Sequence, residues 1–181
     1  IGTLIADLKA SGKWEDTVLV LFADHKPPTL DNELLIEHAE FIQRDEGSNL
    51  YKSPLIIYSA DQTAQTFSNL GSTIDLTPTL ANLFNLNYDP RMYLGIDMFD
   101  DTTNHHVFFQ NGDWITEEGY FYSGTSEFIP NDPGITVSDE SITEVIERQQ
   151  HLVKLSQLIF QTDYFRYRDR TNTSIWVNEK E

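Results

Sequence analysis

The sequence contains no cysteine. That excludes disulfides, thiolate zinc sites and cysteine nucleophiles within these residues, and it leaves the compartment open. No apolar run approaches the roughly 20 residues that span a bilayer, and no export leader is visible. An initiating methionine is also missing. The chain opens at Ile1, directly in a helical pattern, and reads as a fragment, so the missing leader says nothing of the parent. Basic residues are scarce: twelve Lys and Arg stand against 29 Asp and Glu, a formal net charge of −17. A surface this acidic repels phosphate backbones and argues against nucleic acid as a partner. A phosphate ester handled here needs a cation to offset the field.

What is present is globular. Hydrophobic residues make up 39% and aromatics 12% of 181 residues, enough for one domain with a core or one domain with a small appendage. Ile1, Leu4, Ile5 and Leu8 share one helical face, and Gly12 suits the position just past a helix end. The run Thr17-Val18-Leu19-Val20-Leu21-Phe22-Ala23 predicts a strand buried on both faces. Pro27-Pro28 forbid its continuation. Residues 26–49 read as a polar loop with one helical turn at Leu34, Leu35 and Ile36. Ser53-Pro54-Leu55-Ile56-Ile57-Tyr58 predicts a second buried strand. A helix follows from Asp75, with Thr77 as N-cap, Pro78 in the first turn and an apolar face of Leu80, Leu83, Phe84 and Leu86. Helix, strand, loop, strand, helix is α/β layering.

The character then changes. Val107–Ile115 and Gly119–Ser123 predict two short aromatic strands around a turn, and Ile129–Asp139 reads as loop. Ser141 with Glu144 forms a capping-box pattern for a long helix reaching Tyr167. Its stripe is Ile142, Val145, Ile146, Leu152, Leu155, Leu158 and Ile159. The tail from Thr171 reads as frayed.

The sharpest chemical feature is Asp24-His25, placed where the first strand ends. Ligands in open α/β sheets bind beyond the carboxyl ends of strands. A carboxylate and a neutral imidazole there supply charge and a nitrogen donor to a divalent cation. On these two residues alone, a turn-forming Asp beside a surface His is the plainer reading, since short motifs recur by chance. Elsewhere the plain reading prevails. His105-His106 on a strand point to opposite sides and chelate poorly. His38, near Glu33, Glu37 and Glu40, fits an acidic solvated loop better than a second metal site. His151 has no evident partner, and Asp75 and Asp97 suit caps and turns. Thr29 has no support as a nucleophile. Phe108, Phe109, Trp114, Tyr120, Phe121 and Tyr122 could bind a sugar or a lipid headgroup, but packing between a small sheet and the last helix explains them better.

Taken together, the ordered segments resemble the lipoteichoic acid synthase and phosphoglycerol transferase branch of the sulfatase (alkaline phosphatase-like) superfamily. The resemblance is carried by Ile1 to His25, by Ser53–Tyr58, and by Ile74-Asp75-Leu76-Thr77-Pro78-Thr79-Leu80 with Asn82-Leu83-Phe84-Asn85-Leu86. Leu94-Gly95-Ile96-Asp97-Met98-Phe99, Gln110-Asn111-Gly112-Asp113-Trp114-Ile115-Thr116 and the helix ending Tyr164-Phe165-Arg166-Tyr167 extend it. After His25 the chain departs from better-known members: it reads Lys26-Pro27-Pro28-Thr29, without their Gly-rich or Asn-rich continuation.

The resemblance implies a partial alkaline phosphatase-like α/β sandwich over residues 1–101. A small antiparallel sheet packed by a long helix would occupy residues 102–181. Asp24 and His25 match the branch's metal pair, and the metal is manganese or magnesium. The threonine nucleophile, a further acidic ligand and the substrate-binding histidine lie upstream of that pair, so no catalytic nucleophile is expected here and the fragment alone is expected to be inactive. The implied chemistry is attack on a phosphorus ester through a covalent intermediate, resolved by an acceptor hydroxyl or water. The implied partners are a membrane lipid headgroup and the upstream half of the catalytic domain, with the enzyme on the outer face of the cell membrane. A sulfatase or phosphodiester hydrolase is the second reading; sulfatases often carry Asn where His25 stands. The third is a non-catalytic envelope-binding module.

Overall fold

In a computed structural model, residues 1–25 and 52–171 are described. The chain divides into two compact units, Ile1–Ser68 and Asn69–Glu181. Described residues combine helices with two small antiparallel sheets.

In the first unit, helix α1 spans Gly2–Ala10. Its end is a Schellman motif. Gly12 sits at φ +70°, the Gly12 N–H donates to the Lys9 carbonyl at 3.1 Å and the Lys13 N–H to the Leu8 carbonyl at 3.0 Å, satisfying carbonyls the helix leaves open. Strand β1 (Leu19–Leu21) pairs antiparallel with β2 (Ile56–Tyr58), matching Leu19 with Tyr58 and Leu21 with Ile56. The Trp14 ring packs against Tyr58, centroids 5.0 Å apart, and the Lys9 ammonium lies 5.0 Å over the same indole, so the approach to β1 is pinned to β2.

Burial of β1 on both faces is not observed. All three of its residues are half-buried, and Phe22, Ile56 and Tyr58 are exposed. A two-stranded ribbon buries both faces only when a layer covers each side, and no described residue of this unit is fully buried.

The second unit opens with a 3-10 turn, Thr73–Asp75, leading into α2, Leu76–Leu83. The start is earlier than the sequence predicts. Ser72 and Asp75 form a reciprocal capping box, and Thr77 lies inside the first turn. The buried face is also different: Pro78, Thr79 and Ala81 are buried, while Leu83, Phe84 and Leu86 are exposed. The inward face of α2 meets the chain at 95–98. There the Thr79 Oγ1 accepts from the Met98 N–H at 2.9 Å and donates to the Asp75 carbonyl at 2.6 Å.

Beyond a 3-10 turn at Pro90–Met92, four strands form an antiparallel meander: β3 Val107–Phe108, β4 Trp114–Ile115, β5 Gly119–Tyr122 and β6 Glu127–Pro130. β6 lies partly in a stretch that reads as loop from its two prolines. Pro130 is tolerated because it closes the edge strand, pairing with Gly119.

The long helix α3 spans Asp139–Gln161, capped by Ser138, whose hydroxyl accepts the Ser141 N–H at 3.1 Å. Its start is therefore three residues before the predicted Ser141. The sheet and α3 are joined through Gln149, a buried amide whose Nε2 donates to the carbonyls of Phe109 at 3.1 Å and Asp113 at 3.3 Å. Ile142, Val145, Ile146, Leu152 and Ile159 are half-buried along the same stripe, whereas Leu155 and Leu158 are exposed. The helix does not run on to Tyr167. Asp163 at φ +49° breaks it, and α4 follows as Tyr164–Thr171.

Candidate functional site

Asp24 and His25 follow β1 by three residues, beyond its carboxyl end and on the side where β2 begins. The Asp24 Oδ1 accepts the His25 N–H at 2.9 Å, and the His25 Nε2 lies 3.5 Å from the other carboxylate oxygen. Both side chains are open to solvent, 80% for Asp24 and 63% for His25. An oxygen donor of full charge and an imidazole nitrogen thus sit side by side at the end of a strand, accessible to an ion.

The donor types fit a divalent cation; the number falls short. Protein sites for such ions take four to six or more ligands, and among the described residues no group of three or more His, Asp or Glu could hold a metal. Lys26, Pro27, Pro28 and Thr29, the helical turn at Leu34–Ile36, and His38 with Glu33, Glu37 and Glu40 lie outside the described residues.

Two of the other described histidines are committed elsewhere. His105 is buried and its Nε2 donates to the Asp100 carbonyl at 2.9 Å. The His106 Nδ1 donates to the Asn104 carbonyl at 2.9 Å, and its ring stacks on Phe108 at 5.8 Å. Burial lowers the His106 pKa and outweighs its hydrogen bond to Asn104, so the ring is neutral at pH 7. The two rings do not chelate together. His151 is exposed on α3.

Asp75 and Asp97 serve as caps and turn formers. Asp75 is only 5% exposed, and its carboxylate takes the N–H and hydroxyl of Ser72 and the N–H of Ile96. Asp97 accepts from the Asn82 amide and the Phe99 N–H.

Two of the six aromatic residues are core, and Phe108, Phe109, Tyr120 and Tyr122 are half-buried. Trp114 is 1% and Phe121 4% exposed. Their rings stack at 5.0 Å, and Phe128 lies 5.6 Å from Trp114. Beneath them Asp113 gathers the hydroxyls of Tyr120 and Ser123, the Asn111 amide and the Ser123 N–H, all within 2.9 Å. Burial by itself would push the Asp113 carboxyl up; these hydrogen bonds outweigh it and hold it below the ordinary carboxylate range.

Sequence reasoning missed one arrangement: Asn82, Tyr88, Tyr93 and Asp97 converge on a cleft beside the end of α2. The signal was present as the Asn- and Tyr-rich run Asn85-Leu86-Asn87-Tyr88, which carries no known motif.

Comparison with known proteins places these features. Residues 1–86 match the family model described as Sulfatase. Lipoteichoic acid synthases of Staphylococcus aureus strains USA300, NCTC 8325 / PS 47 and MRSA252 are each 22% identical over 165 residues, which is 90% of this chain and 26% of the relative. The chain therefore spans about a quarter of the length of these relatives. It is lipoteichoic acid synthase-like along nearly its whole length, with a sulfatase-family match over its first 86 residues.

Proposed function

We propose that this lipoteichoic acid synthase-like chain supplies part of the metal site of a sulfatase-superfamily enzyme. That enzyme would transfer phosphoglycerol- or phosphoethanolamine-type groups from membrane lipid headgroups in cell-envelope polymer synthesis. The observation that carries the reading is the place of Asp24-His25, past the carboxyl end of β1 and inside the segment matched to the sulfatase family.

In this reading Asp24 and His25 hold a divalent cation, Mn2+ or Mg2+, and move no proton. The cation, when bound, acts as a Lewis acid that offsets charge on phosphoryl oxygens. That role suits a chain whose own charge of −17 would otherwise repel the substrate. The threonine nucleophile, a further acidic ligand and the substrate-binding histidine come from the upstream half of the catalytic domain. The 181-residue chain alone is inactive. Residues 1–101 form the C-terminal part of an alkaline phosphatase-like sandwich, and residues 102–181 form the sheet-and-helix appendage. The assembled enzyme works at the outer face of the cell membrane. Among the described residues no helix is long and apolar enough to cross a membrane, so an anchor would come from elsewhere in that protein.

A hydrolase reading, sulfatase or phosphodiesterase, draws on the name of the matched family. The envelope-binding module has less support, because Trp114 and Phe121 are buried in the sheet instead of presented on it.

The test uses the full-length protein that contains this chain, assayed with phosphatidylglycerol, an aryl sulfate and a phosphodiester in the presence of Mn2+. Asp24→Ala and His25→Ala should each lower transfer by about a hundredfold or more, since even groups behind metal ligands cost ten- to a hundredfold. Sulfate release or simple hydrolysis would move the assignment to the second reading. Activity unchanged by both substitutions would overturn the metal role. In the isolated chain, 1 mM Mn2+ should raise stability by less than about 0.5 kcal/mol, as expected for a dissociation constant near or above that concentration.

A further inference from the structure

The cleft at the end of α2 is an open hollow of about 930 Å³, lined wholly by residues of the second unit. Its shape is set by two local devices. Asn85, at φ +50°, closes α2 with a Schellman motif, its N–H donating to the Asn82 carbonyl at 2.9 Å and the Leu86 N–H to the Ala81 carbonyl at 2.8 Å. Four residues on, Asp89 caps the 3-10 turn and grips the Arg91 guanidinium at 2.9 and 2.7 Å. Between them these devices fix Tyr88 and Tyr93, whose rings meet edge to face with centroids 5.4 Å apart.

The polar groups of the cleft are oriented before any ligand arrives. The Asn82 amide donates to the Asp97 Oδ2 at 2.8 Å, and the Phe99 N–H fixes the other carboxylate oxygen at 2.9 Å. Burial, with the negative charge of Asp97, holds the Tyr88 phenol above its ordinary range, so it keeps its proton as a donor at neutral pH. Asn87, exposed on the rim, adds a free-standing amide with both donor and acceptor.

Charge and polarity narrow the ligand. Asp97 and Asp100 share the cleft lining with one guanidinium, Arg148, which forms no ion pair among the described residues. The lining carries one negative charge, so an anion is disfavoured. A wholly apolar ligand would strand the amides and the carboxylate without water, at a cost of ~1–3 kcal/mol per group. A flat, neutral ring with apolar faces and hydroxyls at its edge meets both demands: tyrosine faces take the ring, and fixed amide, carboxylate and phenol groups take the hydroxyls.

We propose that this cleft is a binding site for a neutral saccharide, with Tyr93 as its stacking platform and Asn82, Asn87 and Asp97 as its hydroxyl partners. The cleft lining includes neither Asp24 nor His25, so saccharide binding does not depend on the metal site. The test is NMR titration of the 181-residue chain with glucose, cellobiose, maltose and N-acetylglucosamine, with glucose 1-phosphate as the charged counterpart. At least one neutral sugar should produce saturable shifts at the Asn82 and Asn87 side-chain amides and along residues 88–93. Tyr93→Ala should weaken that sugar by about tenfold or more, while Tyr93→Phe stays within about twofold of the parent. Asn87→Ala, on the exposed rim where folding is not at stake, should weaken it too. Glucose 1-phosphate should bind no tighter than glucose. No saturation with any of the neutral sugars in the folded chain would overturn the proposal, as would wild-type affinity in both Tyr93→Ala and Asn87→Ala or a preference for the phosphorylated sugar.

Discussion

Asp75 and Ile96, far apart in sequence, are joined by one hydrogen bond: the Ile96 N–H donates to the Asp75 Oδ1 at 2.8 Å. The other oxygen of the same carboxylate caps the turn that starts α2. One buried side chain therefore begins a helix and holds the following loop against it. Asp75→Ala leaves the N–H groups of Ser72 and Ile96 without their acceptor. The expected loss is about 3 kcal/mol, a fall in melting temperature of roughly 10 °C or more, read by thermal unfolding. A change under about 0.5 kcal/mol, the size of an ordinary surface substitution, would remove the clamp from the account.

Gly95 lies against the same clamp. A Cβ there would sit 2.2 Å from the Ile74 carbonyl oxygen and 2.8 Å from the Asp75 nitrogen, both backbone atoms that cannot rotate aside. Gly95→Ala should cost about 1–3 kcal/mol. Gly2→Ala, at the open start of α1 where nothing lies within 4 Å, should be neutral or stabilise by up to about 1 kcal/mol. Denaturant midpoints of the two variants should move in opposite directions or differ clearly in size.

Trp114 is buried with its Nε1 lacking a hydrogen-bond partner among the described residues. Its contribution is then packing against Phe121 and Phe128, not polar bonding. Trp114→Phe should cost far less than Trp114→Ala, for which about 3–5 kcal/mol is expected. Equal losses from the two substitutions would mean that the indole N–H matters after all.

Asp113 gives the second unit an acid limit. Its folded pKa lies below the unfolded value of about 3.9. The stability it contributes is complete above that unfolded value and is lost as pH falls through the folded one. Urea unfolding from pH 6 to 2.5 should show Asp113→Asn less stable than the parent at pH 6, with the gap narrowing below about pH 4. A gap independent of pH would place the effect in shape and not in charge.

The sequence spoke clearly where pattern and local chemistry agree. The strand leading to Asp24-His25, the helix end at Gly12 and the aromatic sheet packed by a long helix all follow from residues within a few positions of each other. It misled where the deciding contact is distant. Thr77 looks like a cap, but Ser72 and Asp75 begin the helix, and Asp75 is committed by a bond to Ile96. Ser141 looks like a cap because Glu144 follows it, yet Ser138 takes that place. Pro130 and Pro133 hid β6, since an edge strand tolerates proline at its end. The break at Asp163 needs a left-handed residue that nothing in the apolar stripe announces. For the proposed metal pair the sequence supplied the two donors and their place after a strand, and among the described residues no group of three or more candidate ligands gathers.

The β1–β2 ribbon pairs only with itself among the described residues, so each strand keeps an outer edge, and Ile56, Tyr58 and Phe22 stay in water. Open edges beside apolar side chains invite strands of neighbouring molecules to add on. The countermeasure is the −17 charge, which makes copies repel one another across the solvent gap. The colloidal behaviour of the isolated chain is thus set by ionic strength: salt that screens the repulsion would release the ribbon's tendency to associate without altering one contact inside the fold.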